Sequence, residues 1–323
     1  MTESILAPLQ QWLLFSGIAA AVGCIAWRGF VAPRAARATG AAGAPALREV
    51  EKRVATVGAA TSLLLIGVWI LKMVVQVMGF RDPFVPLSED INFLVLETFW
   101  GTVWMAQGAI LPLLAGAFLI ARRGREGRQV VGAVSPQIEA APLAASPAWW
   151  LAGALVLFLV ATLALSSHAM GVESGRPLIV AADGMHALAA GGWIGSLGLI
   201  LAVGRPGGAP RMSHPLFVAQ LRSFSALAIA SVFTLVSMGL VLSWTHLHSP
   251  SDLWTTTYGR VLSAKVGAAG VVMLLGFLNW RRGLPGSDSA DGEDVMRRRA
   301  ALEVTVAMGV LLLTAILTHT AKP

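Results

Sequence analysis

The sequence predicts an all-α integral membrane protein, a bundle of about eight transmembrane helices with both termini outside. Three observations predict it. Of 323 residues, 56% are hydrophobic and only 13% charged, about half the charged share of a soluble domain, and the mean hydropathy is +0.71. The apolar residues run in continuous stretches near twenty long, enough for a helix to cross the hydrocarbon, rather than in short alternating segments of barrel type. The basic residues, finally, gather in every second connector.

The spans fall near 11–32, 54–80, 92–120, 148–170, 179–203, 223–247, 259–280 and 300–319. The first contains Cys24, the single cysteine, which excludes an internal disulfide, a CxxC pair and a cysteine metal cage. It reads as a small buried hydrophobe. No basic residue precedes this apolar run, so a cleaved signal peptide is not expected. The second span carries Lys72 and the third Glu97, which shares a face with Trp104. As antiparallel neighbours these two helices can pair Lys72 with Glu97, although a lysine can also snorkel to an interface. The fourth span ends in His168 and Met170. The fifth holds Asp183, Met185, His186 and Trp193, the sixth ends in His246 with His248 just beyond, the seventh holds Lys265, and the eighth ends in His319. The connectors are short, so one membrane domain is expected, with a three-span region over 1–147 and a five-span region over 148–323.

Orientation follows from charge. The connectors after the first, third, fifth and seventh spans, with their flanks, hold 18 of the 24 Lys and Arg residues, among them Arg28, Arg53, Arg122, Arg222 and Arg297–Arg299. Basic loops stay cytoplasmic, which puts both termini on the other side of a plasma membrane. The net charge of +7 is thus spent in loops, and a nucleic-acid partner is not expected. No G-x-x-x-x-G-K-[ST], G-x-G-x-x-G or HExxH occurs, so nucleotide, dinucleotide and zincin chemistry lack their parts and an enzyme is not expected.

On that topology His168, His186, His246, His248 and His319 all fall at the outer end, and only His214 lies in a cytoplasmic loop. Imidazole is a common transition-metal ligand. His186 lies about 10 Å inside its helix, and an ionisable group at such depth marks function by default. Asp183, His186 and Trp193 share one face of a regular helix at i, i+3 and i+10. Asp183 can therefore hold one ring nitrogen of His186 and leave the other for a metal. Gly191 and Gly195 form a GxxxG that admits a neighbouring backbone closely. Met170 and Met185 offer soft thioethers suited to Cu(I). Adjacent Met185 and His186, however, point about 100° apart on a regular helix.

Asp183 to Trp193 followed by Gly195 resembles the "aD..H.laa..W.G" signature of the copper resistance protein D family. Thr257-Tyr258-Gly259-Arg260-Val261-Leu262-Ser263-Ala264-Lys265 resembles that family's "T.YG..L..K" segment. Asn279-Trp280-Arg281-Arg282 and Arg298-Arg299-Ala300-Ala301-Leu302-Glu303 are also similar to it. The similarity spans roughly residues 165–320. It implies an inner-membrane protein that moves copper from periplasm toward cytoplasm, beside a periplasmic copper-binding partner. The chain departs from the family in having no Met-rich external loop and no fused periplasmic copper-binding domain. The expected site is then a copper ion held by His186, His168, His246, His248 and His319 with Met170 and Met185. Asp183, Trp193, Lys265, Glu97 and Lys72 support or couple it. Two rival readings are a subunit with one outer haem and a metal-free assembly factor. A haem relay across the bilayer is not buildable, because no span has a histidine in its inner half.

Overall fold

A computed structural model describes residues 3–123, 146–166, 175–204, 213–245, 247, 249–283 and 290–321. Among these residues every regular element is helical: α1 (Glu3–Ala26), α2 (Ala32–Phe80), α3 (Leu87–Asn92), α4 (Phe99–Arg123), α5 (Pro147–Leu165), α6 (Arg176–Ala190), α7 (Ser196–Val203), α8 (His214–Trp244), α9 (Asp252–Thr255), α10 (Thr257–Leu278) and α11 (Ala290–Leu317). Seven helices are long and apolar enough to cross a membrane. Large apolar side chains such as Leu64, Trp150, Phe158, Phe233 and Leu240 lie on the outside. A soluble protein rarely exposes so much, whereas lipid accepts it.

The difference from eight predicted spans lies at the start of the chain. There the helical run Ile5–Phe80 covers 76 residues, and the stretch 33–53, expected as a loop, is helical. The run folds back on itself at Gly40, whose φ of 62° and ψ of −159° belong to a region that only glycine occupies readily. Pairs on either side of that hinge meet in antiparallel order. The Cys24 thiol donates to the Val54 carbonyl at 3.7 Å, Arg28 Nε donates to Glu51 Oε1 at 2.8 Å, and Gly17 lies under the Leu65 side chain.

Among the described residues four five-residue π-helical turns interrupt the spans, at Trp27–Val31, Phe93–Glu97, Gly191–Gly195 and Asn279–Gly283. Each re-aims side chains relative to a regular helix, a feature common near functional groups. The first turns Trp27 fully inward, where its indole donates to Gln220 Oε1 at 2.8 Å. The third lies where the GxxxG crosses α1. There Gly191 sits on Ala19 and Val22, and Gly195 sits on the Ala19 carbonyl and Gly23, so the two backbones touch. Ser196 Oγ donates to the Gly23 carbonyl at 3.3 Å. The close approach expected of Gly191 and Gly195 is thus made, and its partner is the first helix.

Contacts sort the helix ends into two groups. Arg28 lies 5.9 Å from the Trp149 ring, Arg53 donates to the Val203 carbonyl at 3.3 Å, and Arg297 covers the Phe217 ring at 3.8 Å. Together with Trp27 and Gln220, these gather the Gly40 hairpin, the starts of α5, α8 and α11 and the end of α7 at one arginine-rich end. At the opposite end Tyr258, Leu262 and Leu317 form a small core with Leu247 and Leu253. Two helices there start from the same device. Thr98 and Thr256 take extended backbone conformations, and their hydroxyls accept from Gly101 N at 3.0 Å and Gly259 N at 2.9 Å. Gly101 packs on the Leu94 and Val95 carbonyls of the preceding π-turn and Gly259 on the Asp252 carbonyl of α9. The glycine of the "T.YG" segment is therefore required by the backbone of Asp252 beside it.

Candidate functional site

The arginine-poor end holds His186, Asp183 and Lys265 among the described residues singled out from the sequence. His186 projects from α6, about 15 Å along the helix from Arg176, toward α8. A Cβ added at Gly239 would lie 3.5 Å from His186 Cε1 and 3.8 Å from Nδ1. The His186 ring also donates to the backbone carbonyl of Leu235, one turn earlier on α8. His186 Nδ1 is buried and has no hydrogen-bond partner, which is uncommon for a buried polar atom. Asp183 therefore does not hold that nitrogen, although the sequence spacing permits it. Its charge acts on Lys265 of α10, and Lys265 in turn acts on His186. Asp183 and His186 on α6 and Lys265 on α10 are thus linked by charge, each half-buried.

Other residues stand apart from this group. Met185 is 49% exposed, turned outward as its 100° offset from His186 requires. His319 is exposed just past the end of α11, in a turn whose N–H donates to the Ile316 carbonyl at 3.0 Å. His168, Met170, His246 and His248 lie outside the described residues. Among the described residues no three His, Cys, Asp or Glu side chains converge to hold a metal.

Lys72 and Glu97 do not meet. Glu97 is exposed at the end of a π-turn, while Lys72 Nζ donates to Gln107 Oε1 at 3.2 Å and lies 5.6 Å from the Trp100 ring. Gln107 Nε2 donates onward to Thr162 Oγ1 at 3.2 Å. Trp104 stacks on Trp69 at 4.2 Å, each indole donating to the other's carbonyl. His214, expected as a solvated loop residue, is the first residue of α8 and pairs with Glu293.

Trp193 is displaced from the face it was expected to share with His186. It lies in the π-turn Gly191–Gly195, about 10 Å further along, and the extra residue of that turn changes its direction. Its Nε1 donates to Glu303 Oε1 at 3.0 Å, and Asn279 Nδ2 donates to Glu303 Oε2 at 2.9 Å. Sequence reasoning passed over both partners. The signal was present, for a carboxylate in an apolar helix and an amide at a span end both lie in stretches resembling the family.

Residues 218–317 match the family profile of copper resistance protein D, so the resemblance read from the sequence is borne out. The chain is also 24% identical over 235 residues to a copper transport protein, CutJ, of Bacillus subtilis (strain 168). That match covers 72% of this chain and 39% of the relative, so the chain spans well under half of the curated protein's length. No solved structure matches.

Proposed function

We propose, from the premise that this is a copper resistance protein D-type membrane protein, that the chain binds copper at the arginine-poor end of its bundle and passes it inward. With the Gly40 hairpin counted as two passes, eight helices cross the plasma membrane and both termini face the periplasm. The arginine-rich end then lies in the cytoplasm, as charge favours. Copper is the cargo, taken from the periplasmic side, where a copper-binding protein can hand it over.

The observation that carries this reading is the buried Nδ1 of His186, which has no partner. An unsatisfied buried acceptor costs roughly 1–3 kcal/mol, and a bound metal ion relieves it. Gly239 puts no side chain against that side of the ring, where a bound metal would lie about 2 Å from the nitrogen. Lys265 is the counterweight, since a cation beside the site disfavours a second one. Asp183 offsets it, and the two charges together leave the pocket near neutrality before copper arrives. His168, His246, His248 and His319, which the sequence topology assigns to the outer side, are the further ligands in this reading. The test is elemental analysis and an absorption spectrum of purified protein. Copper at no more than a few ions per chain without a haem band is expected, and His186→Ala loses it. A stoichiometric haem spectrum, or unchanged copper in His186→Ala, refutes the reading.

A further inference from the structure

Glu303 is a carboxylate in the middle of α11 with 4% of its surface exposed. An ionised carboxylate buried in a membrane-spanning helix is costly to insert and marks function by default. Elsewhere among the described residues Glu49, Glu51, Asp90 and Glu293 each pair with an arginine or histidine. Among the described residues Glu303 makes no ion pair. Its two oxygens are met by two neutral donors, the Trp193 indole and the Asn279 amide, and Gly276 leaves the room they occupy, since a Cβ there would lie 3.1 Å from Oε1. Both donors lie in π-turns, so two separate helix distortions converge on this one carboxyl.

Neutral partners matter because they serve either protonation state. An ionised carboxylate only accepts, and both neighbours donate to it. A protonated carboxyl must donate one hydrogen, and an indole cannot accept it, whereas an amide can. Turning the Asn279 amide over exchanges its N–H for its oxygen, which then accepts the new O–H while Trp193 keeps donating to the other oxygen. The site is fully hydrogen-bonded in both states without backbone movement. No charge fixes the choice. Arg299, one turn earlier on α11, is exposed and unpaired with it. The facing α7 carries no titratable residue. On α1 the Cys24 thiol is directed to Val54, on α8 His214 is engaged with Glu293, and on α10 Lys265 lies about 20 Å away along the helix from Asn279.

We infer that Glu303 is a proton-binding site inside the bundle: its carboxylate takes up one proton from water at the arginine-rich end, about 6 Å along α11 at Arg299, and gives it back. If the chain moves copper as proposed above, this is where proton movement is coupled to it, but the site itself is testable without copper. The experiment is an infrared pH-difference titration of the full, metal-free chain in lipid vesicles. A carbonyl band of a protonated carboxyl is expected to appear on acidification and to be missing in Glu303→Gln. Asn279→Leu removes one donor to the ionised form and keeps the carboxyl. The band should then persist to proton concentrations about tenfold lower or more. Identical difference spectra for parent and Glu303→Gln overturn the proposal. Should Glu303→Gln fail to fold, an unmoved titration in Asn279→Leu overturns it. Copper binding measured on the same vesicles separates the two readings. A titrating band with no copper bound refutes the copper reading alone, and copper bound with no band refutes the proton site alone.

Discussion

The crossing of the GxxxG with α1 sets a hard steric limit between two spans, and Gly195→Ala tests it. The new Cβ would lie 2.8 Å from the Ala19 carbonyl carbon and 3.0 Å from Gly23 Cα. Carbon atoms in contact settle about 3.5–4.0 Å apart, and the Ala19 carbonyl oxygen lies nearer still, so the helices must part by more than about 1 Å at that contact. All three obstructing atoms are backbone and cannot rotate away. Overpacking of this kind costs typically 1–3 kcal/mol, and with no side chain able to yield, the upper part of that range is expected. Separation also loosens the bond from Ser196 Oγ to Gly23. Gly198→Ala is the control three residues on, where a Cβ meets only Val304 Cγ1 at 3.8 Å. Gly309→Ala meets nothing within 4 Å. Thermal unfolding of purified protein in detergent, followed by the loss of its monodisperse peak, should place Gly195→Ala several degrees below the parent and both controls beside it. A Gly195→Ala variant as stable as Gly198→Ala would mean that the helices do not touch where the structure brings them together.

Further outcomes follow from the same geometry. Gly239→Leu fills the space beside His186 Nδ1 and should weaken copper binding at least tenfold with little change in unfolding temperature; isothermal titration that finds parental affinity would move the site elsewhere. Asp183→Asn leaves Lys265 unbalanced next to the metal. It should reduce affinity about 10–100-fold, the usual effect of losing a group that supports a ligand, and equal affinity would confine Asp183 to packing. Gln107→Leu strips Lys72 of its acceptor and should cost about 1–3 kcal/mol, read as a lower unfolding temperature that Gln107→Glu recovers. On a Cys24→Ser background, cysteines at Thr320 and His248 should react with an impermeant thiol reagent in intact spheroplasts. Cysteines at Arg125 and Arg298 should react only after permeabilisation, and the reverse pattern would invert the proposed orientation.

Much of the fold was legible because the cost of burying charge in lipid is written along the chain one residue at a time. The apolar runs and the alternating basic connectors translate directly into spans and ends. Gly40 was not legible as a hinge, because the flanking Ala- and Arg-rich stretch reads equally as loop or helix and only the backbone angles decide. The π-turns were invisible for a different reason. One extra residue in a turn changes neither composition nor hydropathy, yet it turned Trp193 from the face of His186 toward Glu303. Glu303 itself stood one turn after Arg299 and read as part of a charged helix start. Lys72 was matched with the nearest opposite charge, whereas Gln107, a neutral acceptor two turns away from any charge, is what meets it. The polar group of Asp183, His186 and Lys265 was reachable from helical spacing, but the orphaned Nδ1 depends on where α8 packs.

Each π-turn also makes the chain sensitive to its count of residues in a way that substitutions do not reveal. Deleting Ile194 alone should let 191–195 revert to ordinary α-helix, which is a change of phase rather than of chemistry. About 100° of rotation per residue would then separate the segment bearing Asp183 and His186 from the segment packed beyond Ser196, with every side chain still present. The polar group at one end and the carboxyl near the other are held in step by a single surplus residue between them. A deletion there, compensated by an insertion one turn later, measures how strictly the two must keep that phase.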